Sequence, residues 1–236
     1  MYTQYAKAIK IKDTAENILA QISSDTTNST TIISSATTIN TNDATAVDLS
    51  VEQLNILTQA GVTITNGYNI VDTMEHITVN ITDGVANNLL LDSNSISIED
   101  SEIVNVGDIN TLIATLSEAT ISITYTGVKV KGNKDQYDLL LGNIYEGKIT
   151  VSALDPANNM SLELTLEPHL ENDAKVDFVL ADTINILSAY GKVILDSTSV
   201  TIEGNISQFD DLAVLDNSKL SIEGEKTLEL YQTSDE

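Results

Sequence analysis

Apolar and polar positions along this chain follow two rhythms that take turns. One has period two. Val62-Thr63-Ile64-Thr65 and Ala119-Thr120-Ile121-Ser122-Ile123-Thr124 set apolar residues, mostly β-branched, against Thr or Ser, as a half-buried strand requires. The other is helical. Leu49 to Leu57 and Val106 to Ala114 space their apolar residues along one helix face, with Ser50 and Asp108 as N-cap residue types. Each helical stretch spans only two or three turns. Lys148–Ala153, Ser161–Leu166, Lys192–Leu195, Ser199–Glu203 and Lys219–Glu223 fill further strand slots, and Asn133–Leu141, Asp182–Ser188 and Asn205–Ala213 fill helix slots. Pro156 and Pro168 fall between strands, where chain breakers belong.

One phrase recurs at the junction of the two rhythms. Lys10-Ile11-Lys12-Asp13-Thr14-Ala15-Glu16-Asn17-Ile18 returns as Asn69-Ile70-Val71-Asp72-Thr73-Met74-Glu75-His76-Ile77, and more faintly from Val179 through Asp182-Thr183 to Ile186. An apolar run meets Asp-Thr, and a helix start follows. Asp13 with Glu16 and Asp72 with Glu75 resemble capping boxes, with Asp72 and Asp182 as N-cap types. A phrase returning after about 60 residues predicts a stacked repeat. Residues 8–67 align with 68–127 as two copies, so the chain divides into a two-copy region, 1–127, and a degenerate continuation, 128–236. Short strand, short helix and short strand without long loops give units that must stack to bury their apolar faces. The predicted fold is mainly β: an elongated, β-solenoid-like repeat of mostly parallel strands with short interposed helices.

The Asp13-Thr14-Ala15-Glu16-Asn17-Ile18 phrase, with a strand before it and a Leu-bearing helix after it, resembles a repeat of large bacterial surface proteins. These are S-layer subunits and giant type I-secreted adhesins, whose close variant is Asp-Thr-Ala-Ala-Asn-Ile. The resemblance covers residues 8–127 and fades from 128 onward. It implies an extracellular, cell-surface structural protein, or a segment of one, that forms a layer, filament or stalk by stacking and self-association. It transfers no catalytic residue. The calcium-binding Gly-Gly-x-Gly-x-Asp repeats of many such proteins are absent from this sequence.

Charge narrows the partners. The chain carries 11 Lys and no Arg against 35 acidic residues, a formal charge of -24. No Lys or Arg lies between Asp13 and Val128. Nucleic acid and anionic membrane surfaces need a basic footprint, so both are poor partners for this chain, and no nucleic acid partner is expected. No apolar run is long enough for membrane insertion. The first residues lack the apolar core of a signal peptide. The chain therefore stays inside, leaves by a route without such a signal, or is a piece of a longer one, and the abrupt onset of the repeat favours the last two. With no Cys, disulfides and thiolate metal sites are ruled out.

Catalytic chemistry finds little support. His76 and His169 have no ligand or nucleophile at useful spacing, and His76 stands where Asn17 stands in the first copy. Carboxylates crowd at Glu99-Asp100-Glu102, at Asp173 with Asp177, and at Asp210-Asp211. Zero Trp and two Phe make a thin sugar-stacking platform, and a lyase would want Arg. The expectation is no enzyme. Hard cations suit oxygen-rich turns, so calcium sites are placed at Asn40, Asn42 and Asp43, at Asp92 and Asn94, and at Asp210, Asp211 and Asp216 with Asn217. The competing reading is that these are turn and cap residues. Expected partners are other copies of the chain, with a cell-surface glycan as the alternative for an adhesin module using Tyr137, Tyr145 and Tyr190. Lys226 to Tyr231 is the best edge strand for self-association. The Asn-x-Ser/Thr matches at Asn28, Asn80, Asn159 and Asn205 are at chance level in so Asn- and Thr-rich a chain.

Overall fold

Alternation becomes strands that pair in parallel, and the helical stretches become the links between them. A computed structural model describes residues 9–25, 36–41, 45–59, 61–155, 157, 160, 162–170, 175–179, 191–197, 199–204, 220–223 and 227–232. Among them are six α-helices and several mostly parallel sheets, a mixed α/β architecture. The helix slots at Asp182–Ser188 and Asn205–Ala213 lie outside the described residues. The chain groups into two units: residues 1–98 with 115–123, and residues 99–114 with 124–236.

The first unit runs β1 (Ile9–Asp13), α1 (Ala15–Asp25), β2 (Ala36–Thr41), β3 (Val47–Leu49), α2 (Val51–Gln59), β4 (Thr63–Ile64), β5 (Tyr68–Asp72), α3 (Met74–Thr78), β6 (Ile81–Thr82), β7 (Val85–Ala86), α4 (Asn88–Leu91) and β8 (Ser95–Ile98). Strands β1, β2 and β4 form one parallel sheet. Strands β3, β5 and β8 stand side by side in another. Among the described residues, the exception to parallel pairing is the β6–β7 hairpin. Its turn residues, Asp83 and Gly84, both have positive φ, 52° and 74°, as a type I′ turn demands. Two elements of this unit are the strands and helices of the Asp-Thr phrase, β1–α1 and β5–α3. In the second copy, the β6–β7 hairpin and α4 intervene before β8.

The second unit contains β9 (Val104–Asn105), α5 (Val106–Thr115), β10 (Ser122–Tyr125, where the chain crosses from one unit to the other), β11 (Lys129–Gly132), α6 (Lys134–Tyr145), β12 (Thr150–Val151), β13 (Leu162–Leu166), β14 (Lys175–Val179), β15 (Gly191–Asp196), β16 (Ser199–Gly204), β17 (Leu220–Glu223) and β18 (Thr227–Gln232). A five-stranded parallel sheet runs in the order β17-β15-β13-β11-β9, and a three-stranded one in the order β14-β16-β18. The last two residues of β10 pair with Thr150 and Val151 of β12.

Burial follows the period-two pattern. In β13, Leu162, Leu164 and Leu166 are buried while Glu163 and Thr165 are half-exposed. Ile96 and Ile98 of β8 alternate with Ser95 and Ser97 in the same way. Many parallel sheets are covered on both faces; these strands keep one apolar face and one polar face. The helices close the apolar side. Val51, Leu54 and Leu57 of α2 are buried, as are Ile109, Leu112 and Ile113 of α5. Each such side chain contributes about 1.5–3 kcal/mol through removal from water.

Candidate functional site

The Asp-Thr phrase is built as a junction between strand and helix. In both copies the helix cap is the Thr. Thr14 Oγ1 accepts from the Asn17 N–H at 3.2 Å, and Thr73 Oγ1 accepts from the His76 N–H at 3.4 Å. The expected cap at Asp72 is therefore corrected by one residue: the Asp is the last residue of the strand. Its carboxylate folds over the helix start. Asp13 Oδ1 accepts from the Thr14 N–H and the Asn17 amide, both at 2.8 Å. Asp72 Oδ1 accepts from the Thr73 N–H at 2.8 Å and meets His76 Nδ1 at 2.7 Å.

Asp72 does more than Asp13. Its Oδ2 accepts from the Val51 N–H at 2.9 Å, the first residue of α2. One carboxylate thus serves the starts of two helices, α3 beside it and α2, whose first residue lies 21 positions before it (72 − 51), using the free N–H groups every helix start presents. Ser50 caps α2 as expected and forms a full capping box with Gln53, with bonds of 3.2 and 2.8 Å. Asp108 does not cap α5; Asn105 Oδ1 takes the Gly107 N–H at 2.7 Å. Asn133 caps α6 in a capping box with Gln136. The junctions are held by a short carboxylate, amide or hydroxyl acceptor at or just after the strand end, within reach of the first helical turn.

The two junctions titrate differently. The Asn17 amide and the Thr14 N–H hold the Asp13 carboxyl below its ordinary value. The hydrogen bond from His76 to Asp72, reinforced by their charge attraction, raises the imidazole above its ordinary value. His76 itself is exposed while the Asp72 side chain is nearly buried, 61% against 8%.

Cross-strand neighbours form ladders on the polar faces. In the first unit they are amides. Asn69 donates to Asp48, its direct partner across β5 and β3, at 2.7 Å. Asn40 donates to Thr65 and Asn66 at 2.6 and 3.0 Å. In the second unit they are ions. Lys129, Glu163 and Lys192 stand opposite one another on β11, β13 and β15, with ion pairs of 4.0 and 3.4 Å. Lys131 reaches Glu167 at 3.5 Å.

A polar groove of about 340 Å³ opens in the second unit at the start of α6, beside Asn133, Asp135, Glu167 and His169. A neighbouring depression shares Asn133, Glu167 and His169 and extends to Lys131 and Asp196. Its charges face each other: His169 Nδ1 lies 3.4 Å from Asp135, Lys131 pairs with Glu167, and Lys134 pairs with Asp138. No spacing motif marks this groove in the sequence: His169, Asp135 and Glu167 come together only through the fold.

The calcium sites placed from sequence are divided by the structure. Asn40 lies in β2 with its amide nitrogen committed to the ladder. Asp92 is the C-cap of α4, its N–H donating to Asn88 and Leu90 carbonyls. The backbone of Asn94 donates to Tyr68 at 2.8 Å, and its side chain fills the space where a Cβ on Gly67 would sit, 2.7 Å away. Burial and the nearby Asp92 charge push the Tyr68 hydroxyl up to about 12. Asn42, Asp43, Asp210, Asp211, Asp216 and Asn217 lie outside the described residues, as do Asp173, Asp182, Tyr190, Asn28, Asn159 and Asn205. Among the described residues no group of three or more His, Asp or Glu side chains could hold a metal. Nor does any described helix have the length and apolarity to cross a membrane.

Of the tyrosines proposed for a binding face, Tyr137 is buried, and burial pushes its hydroxyl well up; Tyr145 is 72% exposed. No protein family, curated protein or solved structure matches this chain.

Proposed function

We propose that this chain is a structural protein of the bacterial cell surface, or a segment of one, whose role is to stack and self-associate into a layer, filament or stalk. The observation that carries the reading is the parallel register. In both units parallel strands meet neighbours 26 positions further along the chain: Asn69 opposite Ser95 (95 − 69 = 26) and Val104 opposite Val130 (130 − 104 = 26). One-sided burial along such strands is what a β-solenoid needs, each coil covering the apolar face of the last. The resemblance of the Asp-Thr-Ala-Glu-Asn-Ile phrase to surface-protein repeats supports the extracellular location. The excess of 35 acidic over 11 basic residues makes assembly dependent on screening, and divalent cations such as calcium are the natural screen outside a cell. The reading assigns no catalytic step.

The test is negative-stain imaging of the purified chain across a calcium titration. Sheets or fibres that appear as calcium rises are the expected result. Isolated particles at every calcium level, at high protein concentration, would overturn the reading.

An adhesin module is the second reading, favoured by Tyr145 and Leu139 standing exposed on α6. It predicts glycan-array binding that is lost in Tyr145→Ala. An array without signal removes it.

A further inference from the structure

The turn between β4 and β5 holds the one Asn-Gly pair of the chain, Asn66-Gly67. Glycine is required at its second position. Gly67 has a φ of 75°, and the Asn94 amide lies 2.7 Å from where a Cβ would stand, so a side chain there would be both strained and blocked. Asparagine at the first position is a bridge. Its Nδ2 donates to the Thr41 carbonyl at 3.1 Å. Its Oδ1 accepts from the Asn40 amide at 3.0 Å and from the Thr65 hydroxyl at 3.1 Å. The half-buried side chain thus ties the turn back to the end of β2.

The same pair is chemically labile. A glycine after an asparagine leaves its backbone nitrogen unhindered, free to attack the side-chain amide carbon. We infer that Asn66 is a self-modification site, a deamidation site gated by the polar bridge between β2 and the turn after β4. The Gly67 nitrogen gives its proton to solvent and bonds to Asn66 Cγ. The Cγ–Nδ2 bond breaks, and the nitrogen takes a proton from solvent and leaves as ammonia. Water then opens the five-membered imide at either carbonyl, leaving aspartate or isoaspartate at position 66. One water is consumed, one ammonia is released, and nothing is oxidised or reduced.

The fold sets when this happens. The nitrogen that departs is the one bonded to Thr41, and the carbonyl oxygen beside it is held by Asn40 and Thr65. Attack therefore needs the side chain to leave the bridge, which requires local opening. The product cannot rebuild what was lost. A carboxylate has no N–H to offer the Thr41 carbonyl, and isoaspartate adds a backbone carbon to a turn that tolerates only glycine at its next position. Conversion also adds a negative charge to a stretch, Asp13 to Val128, that has no Lys or Arg. Opening permits conversion, and conversion favours opening, so the site is a one-way record of loosening in the first unit.

The experiment incubates the whole chain at neutral pH, folded and in concentrated urea, and follows Asn66 by peptide mapping with mass spectrometry and an isoaspartate assay. Conversion should be about tenfold slower, or more, in the folded chain. Asn40→Ala and Thr65→Val, each shown to be folded by circular dichroism, should raise the folded rate about threefold and leave the rate in urea unchanged. Asn66→Asp should lower the urea midpoint. Equal rates in the folded and unfolded chain would overturn the gate, as would two folded variants that convert no faster than the unaltered protein. A midpoint that Asn66→Asp leaves unmoved would overturn the one-way character. An Asn66 that stays intact in urea would overturn the site itself. None of these outcomes bears on the self-associating role, which the inference does not use.

Discussion

The two units fasten the same kind of parallel strand by different chemistry. The first uses amides and one nearly buried carboxylate: Asn69 to Asp48, Asn40 to Thr65, and Asp72 to the starts of α2 and α3. The second uses lysine. Eight of the 11 lysines fall in it, and Lys129, Lys131 and Lys192 pair with Glu163 and Glu167 between strands. The difference teaches how an acidic chain can stack. Carboxylates placed opposite one another on neighbouring parallel strands would repel, so each polar ladder needs a partner that is neutral or positive. An amide gives a bond that salt does not screen. A Lys–Glu pair offsets more charge but weakens as salt rises.

The largest test of this contrast is Asp72→Ala. It removes the acceptor for the Val51 and Thr73 N–H groups and for His76 at once, and should cost about 3 kcal/mol in denaturant unfolding. Asp72→Asn should recover part of that loss, since an amide oxygen still accepts one of the N–H groups. A cost below about 0.5 kcal/mol for the Ala variant would mean the junction is held by packing alone. Next comes Asn69→Asp, which sets two carboxylates against each other where the amide now bonds to Asp48. A loss of about 1–2 kcal/mol is expected at low salt, smaller in molar salt. Glu163→Lys makes the matching change in the second unit, turning Lys-Glu-Lys into three cations. Its partners are partly exposed, so about 1 kcal/mol is expected, again relieved by salt. If salt leaves both variants unchanged, the ladders are not electrostatic.

The smallest effect is a pH dependence that differs in sign between the two junctions. The folded state raises the His76 imidazole. Its contribution is therefore fully present below about 6.5 and is lost as pH rises through the raised folded value. His76→Asn, which copies the first junction, should flatten the unfolding midpoint across that window. At the first junction the sign reverses: the contribution of Asp13 is present above its ordinary value and fades as pH falls through the depressed one. A midpoint for the unaltered protein that is already flat from pH 6 to 8 would contradict the His76–Asp72 pairing.

The sequence pattern made the strand and helix grammar legible wherever alternation was long enough. β13, β15 and β16 fall on their strand slots, α2 and α5 on the helices read after Leu49 and Val106. The cap was misplaced by one residue at Asp72 because Asp and Thr are both good caps and adjacent; only geometry decides which of them enters the first turn. The Asp83-Gly84 hairpin carried its turn signal, but strands of two residues give alternation no room to show. The Lys–Glu ladder was hidden for another reason. Lys129 and Glu163 lie 34 positions apart (163 − 129) and meet through register, which local spacing does not encode. The groove at His169 was invisible for the same reason, since its residues come from the start of α6, the segment after β13, and β14.

The central claim is the proposed self-association, in which copies of the chain stack on one another. Sedimentation velocity of the unaltered protein, from micromolar to millimolar concentration in calcium-containing buffer, tests it most directly. The account predicts a series of species that lengthens with concentration and has no closed end point. A single monomer boundary across the whole range would contradict it.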